Sequence, residues 1–224
     1  MKRRSSKKIN KDKEQILYYK LVLIGANEIG KTQLLHRFNN EKFQKDYFPT
    51  FGVDFRLIKF DNDKGGLSKE LEIIDIAGEN DKMHESIEGD LINSAHAFLC
   101  VFDISKESSV LDAIKIKNDY IKKLKDGGSQ KLWYLIGTKK DKDANGKQVP
   151  PKYREGFNSY FEISAYASSK EEFTKILNRI IKDLSIKFRE NKNINKDEDQ
   201  EEEPIEEDFE EAHGNVFDED CKIS

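Results

Sequence analysis

Cysteine is scarce: the 224-residue chain holds two, Cys100 and Cys221. Two thiols imply no disulfide framework, which fits a reducing, cytosolic-side environment. Cys100 sits in the apolar run AHAFLCVF, where a thiol behaves as a small buried hydrophobe. Long apolar runs are missing as well. None approaches the ~20 residues that span a bilayer. The basic N-terminus is not followed by an apolar h-region, so no secretory signal is expected. The core also lacks a surface on which basic and aromatic residues interleave, so no nucleic-acid partner is expected.

What the chain has is charge, unevenly placed. Residues 1–20 carry eight Lys/Arg against two acids, a net of +6, and residues 196–224 carry fourteen acids against two lysines, a net of −12. The whole chain stands at −4, so the middle is about +2 by difference. The expected layout is a basic disordered arm over 1–15, one folded domain over 16–190 and an acidic disordered tail over 191–224. The tail is too poor in apolar residues to bury a core.

Within the domain, apolar strands alternate with helical patterns. Strands are expected at 17–24, 52–61, 68–76, 96–103, 132–138 and 159–163, with helices beginning near Gly30, Asp81, Glu107, Pro150 and Ser168. The last is clearest, because Phe173, Ile176, Leu177, Ile180, Ile181, Leu184 and Phe188 recur at helical spacing. The second and third strands are joined by DNDKGG, a turn signal for an antiparallel hairpin. The remaining β–α alternation implies a six-stranded, mostly parallel sheet with helices on both faces. Ligands in such sheets lie beyond the carboxyl ends of the strands.

At that edge the first strand runs into GANEIGKT, residues 25–32, a GxxxxGK[ST] loop. Its terminal glycines let the backbone turn so that successive N–H groups face an anion. Lys31 can reach the β- and γ-phosphates of a nucleotide, and the Thr32 hydroxyl can ligate Mg²⁺. The helix behind adds the positive end of its dipole. A nucleotide binder is the broad class.

Four further segments stand at strand ends: PTFGVDF with Thr50, DIAG (75–78), TKKD (138–141) and EISA (162–165). With this set, over roughly 18–187, the sequence resembles a small GTPase of the Ras superfamily. FGVDF is most similar to Rab proteins, and FLCVFDI to Ras itself. The resemblance implies a Ras-like P-loop GTPase domain that binds GTP or GDP with Mg²⁺ and hydrolyses GTP. The nucleotide-contacting loop would comprise Gly25, Asn27, Glu28, Ile29, Gly30, Lys31, Thr32 and Gln33. Thr32, Thr50 and Asp75 would serve the metal, Thr50 joining only when the γ-phosphate is present. Gly78 would touch that phosphate, and Tyr47 would add to the same site. Around the base, Asp141 would accept from the guanine N1–H and amine, and Lys139 would lay its stem along the ring. Phe43 would cover the other side, Ala165 N–H would meet O6, and Thr138, Ser164 and Tyr166 would complete the wall. Lys31, Thr50 and Glu79 are the expected catalytic residues.

Departures from the family pattern are expected to matter. Glu79 stands where most members carry the Gln that orients the attacking water; it can accept a hydrogen bond from water but cannot donate one to the transition state. Asn27 and Glu28 occupy loop positions usually small, and Tyr166 replaces a Lys. An altered intrinsic rate is therefore expected, with a hydrolysis-deficient scaffold as the alternative. Effector, exchange and GTPase-activating proteins would dock on residues 43–55 and 78–94. The final CKIS fits a prenylation box, with terminal Ser favouring farnesyl on Cys221. The protein is then expected on the cytosolic face of a membrane. One lipid binds a membrane only marginally, so the arm at 2–13 either pairs with the acidic tail or supplies a second membrane signal.

Overall fold

The architecture was read from a computed structural model that describes residues 16–46, 50, 52–60, 67–76, 85–143, 146 and 149–198. The chain divides into two units, 1–186 and 187–224. The first holds six strands: β1 (Leu17–Ile24), β2 (Val53–Phe60), β3 (Lys69–Ile76), β4 (Ala97–Asp103), β5 (Leu132–Thr138) and β6 (Ser159–Glu162). They lie side by side in the order β2-β3-β1-β4-β5-β6. Only β2 against β3 is antiparallel, with Phe55 opposite Ile74 and Leu57 opposite Glu72. The expected hairpin is therefore present, although its DNDKGG connection lies outside the described residues.

Burial follows position in the sheet. AFLCVFD of β4 and LWYLIGT of β5 are buried throughout, as central parallel strands covered on both faces require. Edge strand β2 instead alternates, and it leaves Phe55 60% and Leu57 44% exposed. Among the described residues the sheet is covered by α1 (Lys31–Phe38), α2 (Glu85–Ser94), α3 (Glu107–Lys123) and the first-unit part of α4 (Lys170–Glu198). Ile92 of α2 and Val110, Ala113 and Ile116 of α3 share one cluster with Val22, Ile74, Phe98 and Trp133. There Phe98 and Trp133 stack with ring centroids 4.5 Å apart, a geometry that contributes ~1 kcal/mol beyond area burial. Across the sheet α1 meets α4 through Phe38 and Phe173, edge to face at 5.7 Å.

One expected helix is corrected. From Pro150 the chain makes only a single 3-10 turn over Pro151–Tyr153. Two consecutive prolines lack amide donors, and Gly156, with φ +73°, turns the chain towards β6 before a second helical turn is built. Val149, Tyr153 and Phe157 still reach the core cluster. At the other end, α4 continues to Glu198, past the expected border at 190. The second helix is described from Glu85, so its expected start near Asp81 lies outside the described residues.

His96, just before β4, carries a pH consequence. Its Nδ1 accepts the Lys20 N–H at 3.0 Å. Burial, with the charges of Lys131 and Lys20, lowers its pKa to about 4. A histidine depressed below its ordinary 6.5 stabilises the fold fully above that pH, and the contribution is lost as pH falls from 6.5 towards 4. The unfolding midpoint should decline across that window. In His96→Asn, whose amide oxygen keeps an acceptor, the decline should be shallower, as thermal melts at stepped pH would read. Parallel curves would refute it.

Candidate functional site

At the carboxyl edge of the sheet, β1 passes into the loop 25–30 and then α1. Two glycines open and close that loop. Gly25 has φ +149°, and a Cβ there would stand 2.4 Å from Ile29 Cδ1 and 2.5 Å from the Val101 carbonyl oxygen. Gly30 caps α1 in the left-handed region at φ +100°. Glu28 also takes positive φ, at 60°, where a side chain costs ~1 kcal/mol. Its side chain and that of Asn27 are exposed, whereas Ile29 is buried. Lys31, nearly buried, donates from Nζ to the carbonyls of Gly25 at 3.0 Å and Ala26 at 2.9 Å. The ammonium is thus held at the loop's mouth by main-chain oxygens.

Beside it, oxygens from three separate segments converge. Thr32 Oγ1 donates to Asp75 Oδ2 at 2.6 Å and lies 2.7 Å from Thr50 Oγ1. Asp75 is wholly buried, and its Oδ1 has no hydrogen-bond partner among the described residues. Burial raises its carboxyl above the ordinary range, against the Thr32 hydrogen bond and the Lys31 charge. Two hydroxyls and an orphaned carboxylate oxygen form a hard-oxygen donor set of the kind Mg²⁺ takes, so these residues fit such an ion.

A second group lies across the loop. Thr138, ending β5, places Oγ1 2.5 Å from the Ile29 carbonyl and 2.9 Å from that of Phe102, locking β5 to the phosphate-type loop. Lys139 stands at φ 56°. Its Nζ donates to the Glu28 carbonyl and to Asp103 Oδ2, each at 2.8 Å. Burial works to raise the Asp103 carboxyl, but hydrogen bonds from Lys139 and Ser105 outweigh it and hold it below its usual value. Asp141 is exposed, and its carboxylate accepts a short hydrogen bond from the Ser164 hydroxyl. Ser164 Oγ also accepts the Ala167 N–H at 2.9 Å, so the turn holding Ala165 is tied to that carboxylate. Facing it, Phe43 and Tyr166 meet edge to face at 5.5 Å. Gln33 Oε1 holds the Gln44 amide at 3.1 Å, beside Phe43.

This lays an anion-type loop, a hard-oxygen cluster and an aromatic pair along one edge. A model of the Ras family matches residues 20–185. The chain belongs to the Ras family. It is 30% identical to the Ras-related protein Rab-15 of Mus musculus over 178 residues, 75% of this chain and 79% of that protein. With Rab-13 of Bos taurus it shares 32% over 184 residues, 80% and 86% of the two chains. With RabC of Dictyostelium discoideum it shares 25% over 181 residues, 80% and 90%. Among Ras-family proteins it is therefore a Rab-like small GTPase.

The structure brings Lys31, Thr32, Thr50 and Asp75 together at the loop, ties Asp141 to Ser164, and sets Phe43 against Tyr166. Tyr47, Gly78, Glu79 and Cys221 lie outside the described residues. Tyr166, expected to replace a lysine stem and to complete the wall, sets its ring edge to face against Phe43. Two participants escaped the sequence reading. Asp103 ends its strand as DIAG and TKKD end theirs, which was the available signal. Gly137 had none: a Cβ there would meet Phe102 Cζ at 2.7 Å, a clash visible only when β4 and β5 are paired.

Proposed function

We propose that this Rab-like protein is a guanine-nucleotide-dependent switch that binds GTP or GDP and hydrolyses GTP to GDP and phosphate. The observation that carries it is the meeting of Thr50 with Thr32 and Asp75 at 2.7 and 2.6 Å. A residue from the 43–55 segment thereby reaches the metal-type cluster, as a switch that reports the γ-phosphate requires. Thr32, Thr50 and Asp75 would hold Mg²⁺, which neutralises charge between the β- and γ-phosphates when bound. Lys31 exchanges its carbonyl partners for phosphate oxygens, and the loop amides and the α1 N-terminus supply the rest of the cradle. Asp141 reads the base edge, with Phe43, Lys139, Ala165 and Tyr166 around it. The chemistry is positioning and charge stabilisation.

Exposed Phe55 and Leu57, side by side on edge strand β2, support effector docking on 43–55, alongside regulators on 78–94. A basic arm, the domain and an acidic tail with farnesylated Cys221 would place the switch on the cytosolic face of a membrane, in trafficking or signalling. Among the described residues no helix is long and apolar enough to cross a membrane.

Glu79 supports a second reading, a GTP-held scaffold. Its carboxylate can accept from water but brings negative charge towards the γ-phosphate and cannot donate. In single-turnover assays wild type and Glu79→Gln should hydrolyse at different rates, and equal rates would sink any role for Glu79. Added cell extract should accelerate GTP loss if the protein is a switch and leave it unchanged if it is a scaffold.

A further inference from the structure

We propose that Arg37 sets how long guanine nucleotide stays bound, by fastening together the two chain segments that close over the base. The inference rests on the nucleotide reading above and concerns the regulation of that same site.

Arg37 lies in the last turn of α1, away from the phosphate loop. Its Nη1 donates to the Glu41 carbonyl at 3.1 Å, and its Nη2 donates to the Ser168 carbonyl at 3.0 Å. Glu41 is two residues before Phe43, and Ser168 is two after Tyr166. The two arms of one guanidinium therefore hold the two strips of chain whose rings meet at 5.5 Å, with ring planes inclined by 74°. The Phe173 ring, centred 5.0 Å from Cζ, backs the planar group. Cation–π contact and packing keep the fork in place.

The second strip is itself a closed turn. Ser168 N–H donates to the Ser164 carbonyl at 3.0 Å, and Ser164 N–H donates to Ser168 Oγ at 3.2 Å. Ser164 is also the residue whose hydroxyl bonds Asp141. Pulling on Ser168 thus bears on the Tyr166 wall and on the base-reading carboxylate together. Other bonds hold one strip only: Arg56 Nε reaches Glu41 Oε1 at 2.8 Å, and Gln33 reaches the Gln44 amide at 3.1 Å. Arg37 holds both. A base escapes by parting Phe43 from Tyr166, and parting them breaks a charge-assisted bond on one side of this fork. Lysine, a point charge without the fork, cannot satisfy both carbonyls in that geometry. Arg37 is a positioning residue, since it acts through the strips it ties.

The test uses the full-length chain loaded with a fluorescent ribose-labelled GDP, released by an excess of unlabelled GDP with and without EDTA. Relative to wild type, release should speed up by about tenfold in Arg37→Ala, the scale of one lost charge-assisted hydrogen bond. Arg37→Lys should be nearly as fast. Tyr166→Ala should release roughly three- to tenfold faster, the scale of one aromatic pair. The Arg37→Ala/Tyr166→Ala double variant should be no faster than Arg37→Ala, because both remove one clamp. The excess over wild type should persist in EDTA, which strips the metal side and leaves the base side. Wild-type release rates in the variants, a double variant whose effects multiply, or an excess that vanishes in EDTA would each overturn the proposal while leaving nucleotide binding intact. Wild type that holds no labelled GDP would overturn the nucleotide reading itself. If Arg37→Ala does not fold, Arg37→Lys and Tyr166→Ala decide; Tyr166 is 63% exposed, and wild-type release in both overturns the clamp.

Discussion

Gly25→Ala should abolish nucleotide binding and lower the unfolding midpoint by about 10 °C. The added methyl would face two obstacles of different kinds. Ile29 Cδ1, 2.4 Å away, ends a side chain that can turn, but the Val101 carbonyl oxygen, 2.5 Å away, belongs to the backbone of β4. Relief requires the ends of β1 and β4 to part at the point where the loop departs. The backbone is unfavourable for a side chain as well, at φ +149°. Overpacking costs ~1–3 kcal/mol, and a strained φ adds ~1–3 kcal/mol. At ~2–4 °C per kcal/mol for a domain of this size, the sum gives the expected shift. Binding suffers further, because the same shift displaces the loop whose backbone N–H groups face the anion. Thermal melts and GDP titration of this variant beside Gly89→Ala provide the check. Gly89 lies in α2 with nothing within 4 Å of a built Cβ, so its replacement should be neutral or mildly stabilising. A Gly25→Ala protein that melts and binds as wild type would show that the loop is not built as described.

Asp141→Ala should weaken GDP binding by about 10²–10⁴-fold and erase the preference for GDP over ADP. Lys139 stands in the left-handed region at φ 56°, and the Asp141 carboxylate that follows is exposed and oriented by the Ser164 hydroxyl. Guanine offers this carboxylate two donors, N1–H and the exocyclic amine, and adenine does not. Charge-assisted hydrogen bonds contribute ~1.5–3 kcal/mol each, so losing both gives the expected range. ADP affinity should scarcely move, since adenine offers this exposed carboxylate no donor pair to lose. Asp143→Ala, two residues on and outside the proposed base wall, is the control. Competition of GDP and ADP against a labelled nucleotide reads both quantities. Unchanged selectivity in Asp141→Ala would remove the base-reading role.

How much of this was legible beforehand depends on the distance over which each cause acts. The strands were readable because β4 and β5 are apolar along nearly their whole length, and such runs have one good place, the middle of a covered sheet. The loop at 25–30 was readable because two glycines and a Lys-Thr pair act within eight residues. The helix expected from Pro150 is a single 3-10 turn, although Val149, Tyr153 and Phe157 stand at helical spacing. What defeated the helix was the short return to β6, together with paired prolines and Gly156.

Local pattern by itself determined the α/β class, the mostly parallel sheet, the phosphate-type loop and the identity of the residues at each strand end. Those are properties of neighbours along the chain, where period, turn chemistry and steric freedom operate. Tertiary structure alone decided which distant groups share a boundary. It set Asp103 against Lys139 at 2.8 Å, Tyr166 against Phe43 at 5.5 Å and Arg37 between the segments carrying those rings. Each of these pairings depends on strand order and helix docking, which bring together positions that no window of sequence contains.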